Sequence, residues 1–154
     1  MTHDIKSEQS THESLWVKID NGNNKIILGI IYAPQENKSD SHTLQSMYNI
    51  SIEEELKIAH RNDENLMIVG DFNCQEGTAI PGNKEEISKA GKMLCNLIKK
   101  WKVDLVNSLP ICEGKWTRIE NEYKTIIDYA IIRTEDRDGM RRAFIDEAEG
   151  FNDI

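Results

Sequence analysis

The spacing of apolar residues changes period several times along the chain. Leu15, Val17 and Ile19 alternate with Trp16, Lys18 and Asp20, the period of a half-buried strand. Asn21-Gly22-Asn23 supplies a hairpin turn, because Gly and Asn tolerate positive φ. Residues 26–32 are apolar on both faces and close at Ala33-Pro34, which predicts a central strand. Over residues 41–60 the period lengthens. Leu44, Tyr48, Ile52, Leu56 and Ala59 mark one apolar helix face, while Glu53, Glu54, Glu55 and Lys57 point elsewhere. A strand over 66–69 stops at Gly70-Asp71. A second helix is signalled by Asn83 as cap, Glu86 three residues on, and a stripe of Ile87, Ala90, Leu94, Leu97 and Trp101. Beyond it the pattern predicts a short strand over 104–107 and a strand pair, 115–119 with 124–132. A solvated charged loop over 133–142 and a strand beginning at Phe144-Ile145 follow. The first dozen residues are polar and read as a frayed end. Strands alternating with helices predict an α/β fold with strand pairs added at both ends. No repeat, linker or low-complexity tract divides it, so one domain, or part of one, is expected.

Composition narrows the function classes. Of 154 residues, 38% are hydrophobic and 30% charged, a foldable mixture. Acids outnumber bases 27 to 19, for a net charge of −8, which argues against gripping nucleic acid by bulk positive charge. An enzyme whose acidic pocket holds a metal ion against a phosphate stays open. No apolar run approaches the ~20 residues of a membrane span, and residues 1–10 have no signal-peptide core. An intracellular chain, cytoplasmic or nuclear, is the expectation. Cys74, Cys95 and Cys112 form no Cys-x-x-Cys pair, and no histidine stands at zinc-finger spacing from them. Free thiols in a reducing compartment are expected.

Candidate chemistry starts at Gly70-Asp71-Phe72-Asn73. Residues two apart on an extended backbone share a face, so Asp71 and Asn73 project together while Phe72 packs behind. They stand at the C-terminal end of a buried strand, where open α/β sheets keep their sites. A carboxylate there binds a hard cation or takes a proton from water, and a neutral amide beside it orients an oxyanion. The structural alternative is an Asx turn ending a core strand. Asp128 shares a strand face with Ile126, Ala130 and Ile132, where an unpaired carboxylate would cost several kcal/mol. It therefore needs a partner: a functional group such as a histidine that it orients, a nearby turn that it caps, or Arg118. Tyr32 closes its strand either as an amphipathic rim residue or as a hydrogen-bond donor to phosphate. Trp116-Thr117-Arg118 puts a stacking ring, a hydroxyl and a guanidinium on one short strand. A tryptophan in a strand is more often core. His3, His12, His42 and His60 show no convergent spacing and read as surface residues.

Taken together, Ile30-Ile31-Tyr32-Ala33-Pro34, Val69-Gly70-Asp71-Phe72-Asn73 and Ile127-Asp128-Tyr129, in this order, resemble the endonuclease/exonuclease/phosphatase superfamily. The opening Glu13-Ser14-Leu15-Trp16-Val17, and Trp116-Thr117-Arg118 ahead of Ile127-Asp128-Tyr129, look most like the endonuclease domain of non-LTR retrotransposons. The resemblance runs over nearly the whole chain. It implies a four-layer α/β sandwich, with mixed sheets flanked by helices, and metal-assisted phosphodiester hydrolysis of DNA. Mg²⁺ is the usual ion and Mn²⁺ a substitute. By position, Tyr32 resembles the phosphate-contacting tyrosine and Asp71 the aspartate that aligns or activates water near the metal. Asn73 resembles its partner on the scissile phosphate, and Asp128 the aspartate that orients a catalytic histidine. Trp116, Thr117 and Arg118 are the expected substrate contacts.

The departures bear on activity. The upstream asparagine and metal-binding glutamate of the family have no counterpart, since Glu8 and Glu13 do not stand in that motif. No histidine follows Asp128, so the terminal Ser-Asp-His signature is missing too. A fragment lacking the first strands and the last one is the simplest account. Asp71 is then a weak metal site with only Glu76 as a speculative substitute ligand. A same-fold phosphatase acting on a phosphorylated sugar or lipid, and a non-catalytic remnant, are the alternatives. Absent strands leave sheet edges and apolar faces uncovered, so the purified chain is expected to aggregate or to be marginally stable. A melting transition of ordinary cooperativity contradicts this.

Overall fold

The computed structural model describes residues 13–20, 22, 25–35, 41–76, 86–120 and 123–147. Alternation in the first segment folds as an antiparallel pair. β1 (Glu13–Asp20) lies against β2 (Lys25–Tyr32) in register from Glu13↔Tyr32 to Asp20↔Lys25. Gly22 takes a left-handed φ of 87° in the connection, while Asn21 and Asn23 lie outside the described residues. The buried face of β1 is the reverse of the expected one: Trp16 is buried, and Leu15 and Ile19 are exposed. The cause is Gly29, directly opposite Trp16, where an added Cβ would stand 2.3 Å from the indole. A bare backbone at Gly29 lets the ring lie flat across β2, on the side that the helices cover.

The long helical segment forms as α1 (Ser41–Ser46), a π-helical stretch Met47–Ile52, and α2 (Glu53–Asn62). Tyr48, Ile52, Leu56 and Ala59 are fully buried, as the periodicity predicts, and Leu44 lies outside the described side chains. The π stretch, not foreseen, seats Met47 and Tyr48 together in the core. Asp63 ends the segment in the left-handed region, its N–H returning to the carbonyls of Ala59 and His60. The chain then enters β3 (Asn65–Asp71), parallel to β2.

α3 (Lys89–Trp101) is capped by Ser88; the predicted cap Asn83 lies outside the described residues. Ser88 Oγ accepts from Gly91 N at 3.0 Å and from Gln75 N at 3.2 Å, tying the helix start to the segment after β3. Ile87 precedes the helix and is exposed, whereas Ala90, Leu94 and Leu97 are buried. β4 (Val103–Leu105) follows, then a 3-10 turn Val106–Ser108 and β5 (Cys112–Glu113).

The predicted strand pair divides differently. β6 (Arg118–Glu120) and β7 (Tyr123–Thr125) form a small ladder of their own, and β8 (Asp128–Arg133) enters the main sheet. Arg118 begins β6, so Trp116 and Thr117 precede the strand. Hydrogen bonding at 126–127 makes the break. Ile126 O accepts from the Tyr129 hydroxyl at 2.9 Å, Ile127 N donates to Thr117 Oγ1 at 3.0 Å, and Ile127 O accepts from Phe72 N at 2.8 Å. The charged stretch is solvated as expected, with no buried residue from Thr134 to Gly139, but is wound into a 3-10 turn. It is anchored by buried Arg133, which pairs with Glu135 at 2.6 Å and Asp136 at 2.8 Å. β9 (Ala143–Phe144) pairs in parallel with β5.

The main sheet is mixed, in the order β1-β2-β3-β8-β4, and belongs to the α/β class. Trp16, Ile27, Ile31, Leu66, Ile68, Tyr129 and Ile131 from the sheet pack against residues of the helices. The opposite face carries the cross-strand pairs Leu15↔Ile30 and Ile19↔Ile26, all four side chains 36–47% exposed. Among the described residues, no helix is long and apolar enough to cross a membrane. All three cysteines are free. Burial pushes the thiol of Cys74 up to about 12 and that of Cys95 up to about 11, so neither is a ready nucleophile.

Gly70 has φ of 145°, and a Cβ there would stand 1.9 Å from Ile31 O in the neighbouring strand. Gly70→Ala is expected to cost about 1–3 kcal/mol through overpacking, with a further backbone penalty. Denaturant midpoints read the loss, and an unchanged midpoint contradicts the close approach.

Candidate active site

Strand register assembles the site. Tyr32 on β2 pairs with Asp71 on β3, and Asp71 pairs with Asp128 on β8. Residues in register across adjacent strands share a sheet face. The three side chains therefore form one row at the end of β2 and β3, on the face away from the helices. Two anionic carboxylates directly opposite each other repel.

Each carboxyl is held above its ordinary range. Burial raises Asp71 most; the Asn73 backbone N–H and the charge of Arg118 act in the opposite sense. Burial likewise leads for Asp128, opposed by a hydrogen bond from Thr117, with Asp71 pushing it up further. Thr117 is thus a junction. Its hydroxyl donates to the Asp128 carboxylate, while its oxygen accepts from Ile127 N and from Asp128 N at 3.1 Å.

Asn73 follows in a left-handed conformation, φ 45°, with its N–H on Asp71 Oδ1 at 2.8 Å. That is the Asx turn of the structural alternative, and it coexists with the row. The Asn73 amide donates to Ala33 O at 2.7 Å, which ties the end of β3 to the segment after β2. A primary amide has two N–H bonds, so one donor remains for a ligand. Tyr32 is 54% exposed and keeps its phenol toward solvent. Trp116 is half-buried and packs against the core, with the Lys115 ammonium 4.3 Å from its ring centroid. The charge of Arg118 acts on Asp71.

Two supporting residues escaped the sequence reading. Asn107 Nδ2 donates to Asp128 O at 3.1 Å, and its Oδ1 accepts from Ala130 N at 2.9 Å, clamping the strand that carries Asp128. Glu147 accepts from the backbone N–H groups of Lys115 and Trp116, which holds its own carboxyl below the usual range and fixes the approach to Thr117. Neither position belongs to a motif, and only the fold brings them here. Asp128, Thr117 and Asn107 border a cavity of about 400 Å³, whose far wall is Ala143, Phe144 and Ile145. Tyr32, Asp71 and Asn73 stand outside it, along the row. Glu76, the substitute metal ligand considered above, is buried beside Cys95, with Cys95 Sγ 3.4 Å from Oε1. Among the described residues, no group of three or more His, Cys, Asp or Glu side chains could hold a metal ion. Asp71 and Asp128 are the carboxylates of the row, and Mg²⁺ is commonly bound through one or two carboxylates with waters and phosphate.

This architecture is the α/β sandwich fold of endonuclease/exonuclease/phosphatase proteins. The endonuclease domain of TRAS1, a telomere-specific non-LTR retrotransposon, superposes with a TM-score of 0.55 at 18% identity, covering 81% of this chain and 52% of that one. A mannosyl-6-phosphatase of Bacteroides thetaiotaomicron gives 0.55 at 10% identity over 86% and 51%. An endonuclease/exonuclease/phosphatase family protein from the same organism gives 0.55 at 9% identity over 86% and 50%. The chain spans about half the length of the structures that it matches. No protein-family model and no curated protein sequence matches it.

An acid whose pKa rises on folding contributes stability that is full below its unfolded pKa and lost as pH climbs through the folded value. Asp71 and Asp128 both have this sign. Asp71→Asn is therefore expected to stabilise the metal-free chain at neutral pH by about 0.2–1 kcal/mol. The gain should vanish near about pH 3, where both carboxyls are protonated. Thermal midpoints across pH check this, and a gain independent of pH contradicts it.

Proposed function

We propose that this chain carries the catalytic row of a divalent-metal-dependent phosphodiester hydrolase acting on DNA. The observation that carries the reading is the Tyr32–Asp71–Asp128 register, with Asn73 and Thr117 fastened to its two aspartates. Asp71 and Asp128 hold the cation in this reading. Mg²⁺ or Mn²⁺, when bound, offsets charge that builds on the phosphate oxygens. The raised pKa values of the two carboxyls fit such a role, because a cation relieves the cost of ionising both.

The residues of the chain divide the remaining work. Asp71 orients the attacking water and accepts its proton as the new P–O bond forms and the bond to the leaving oxygen breaks. The Tyr32 phenol and the second N–H of Asn73 donate to phosphate oxygens. Thr117 keeps Asp128 oriented, and Arg118 adds positive charge beside Asp71. All four histidines precede Asp71 in the sequence, and none follows Asp128. With Asp71 serving both as a cation ligand and as the proton acceptor, in place of a separate base, the rate is expected to be low, by about 10²–10⁴-fold. The motif flavour around Trp116-Thr117-Arg118 favours DNA. The equal fold similarity to a sugar phosphatase supports a small phosphoester as the second reading.

Slow nicking of supercoiled plasmid, dependent on Mg²⁺ or Mn²⁺, is the expected result. Asp71→Ala should lower it by at least about 10²-fold, and Asn73→Ala should also lower it. Unchanged nicking in both variants removes the site assignment. Phosphate release from mannose 6-phosphate with plasmid left intact moves the substrate to the small class. Inertness toward both substrates favours the non-catalytic remnant.

A further inference from the structure

The helix-covered side of the sheet has a second cavity, of about 260 Å³, between β1, β2 and α2. Trp16, Ile27 and Ile58 give it apolar walls, and Lys18, Glu55 and Glu64 bring charge to it. Glu64 is only 5% exposed. Its Oε1 pairs with the Lys18 ammonium, but its Oε2 is buried with no hydrogen-bond partner among the described residues. A buried carboxylate oxygen without a donor is costly, and calls for one. Glu55 supplies a second carboxylate from α2. No described cation pairs with it: Lys57 goes to Glu54 and Lys100 to Glu53. Burial first, and Glu54 second, hold the Glu55 carboxyl above its ordinary range, a cost that a nearby cation would relieve. Two carboxylates against one ammonium leave a single negative charge to be met.

We propose that this cavity binds an alkylammonium group, its charge meeting Glu64 Oε2 and Glu55 and its methylene chain lying against Trp16, Ile27 and Ile58. The donor set selects among cations. A guanidinium gains most from both oxygens of one carboxylate, and Lys18 already occupies one oxygen of Glu64. Mg²⁺ and Ca²⁺ require a shell of oxygens that apolar walls do not supply. An ammonium is a compact charge with three rotatable donors, on a stem that packs well against apolar surface. The group can come from a free amine or from a lysine of another protein.

Isothermal titration of the whole chain with n-butylammonium, with n-butanol, n-butylguanidinium and N-acetyl-lysine methylamide in parallel, tests this. Saturable 1:1 binding of n-butylammonium on the order of millimolar is expected, with n-butanol and n-butylguanidinium weaker by about tenfold or more. Glu64→Gln and, on the accessible helix, Glu55→Gln should each weaken it by a similar factor, while Asp71→Asn leaves it unchanged. N-acetyl-lysine methylamide binding as tightly identifies a protein lysine as the source; its failure beside a binding n-butylammonium identifies a free amine. Absence of saturable binding, equal binding of n-butanol, or full affinity in the Glu55→Gln variant overturns the proposal. Asp71 takes no part in this cavity, so the nicking assay and this titration fail independently.

Discussion

The alignment of β2, β3 and β8 brings Asp71 and Asp128 face to face, and the rest of the site is arranged around two carboxyls that burial, more than their mutual repulsion, disfavours as anions. Like charges in direct register weaken a sheet, and here both are also partly withdrawn from water. The surroundings answer each in turn. The Asn73 N–H and the Arg118 charge act on Asp71, and the Thr117 hydroxyl acts on Asp128. Neither carboxyl is brought back to its ordinary range. In the proposed function these two neighbouring acids are the groups that meet a cation and a phosphate.

The two faces of the sheet are built on different terms. On one, Trp16 crosses Gly29, and the helical segment lays Tyr48, Ile52, Leu56 and Ala59 over the strands. On the other, Leu15, Ile19, Ile26 and Ile30 meet solvent on the face that carries Tyr32, Asp71 and Asp128. Aliphatic cross-strand pairs of this kind belong to a covered surface in a stable sheet. The matched part of this chain spans about half the length of the proteins that share the fold.

Backbone hydrogen bonds anchor the site above the packed side chains of Phe72, Ile126 and Tyr129. Asn73 reaches the carbonyl of Ala33, Phe72 N reaches Ile127 O, and Asn107 spans Asp128 and Ala130. Beneath them the Tyr129 hydroxyl, 3.1 Å from Cys74 O and 2.9 Å from Ile126 O, joins the two segments that leave the row. Gly70 permits the close passage of β3 beside Ile31. These contacts link residues far apart in the chain, so each motif depends on the others for its geometry.

Sequence alone determined what short-range rules govern. The strand at residues 26–32, the helical stripe of Tyr48, Ile52, Leu56 and Ala59, and the β3 strand ending at Asp71 follow from periodicity, and the Asx turn from Asp71 to Asn73 follows from the conformational habits of Asp and Asn. Tertiary structure decided the rest. Which face of β1 is buried turned on Gly29 lying opposite Trp16, a cross-strand fact with no local signal. The division of the 124–132 stretch into β7 and β8 turned on Thr117 and Phe72 claiming the backbone of Ile127. Arg133 was drawn out of a charged run and buried because Glu135 and Asp136 fold back on it. The row itself depends on register among three strands, and register is set by long-range pairing that no single segment encodes.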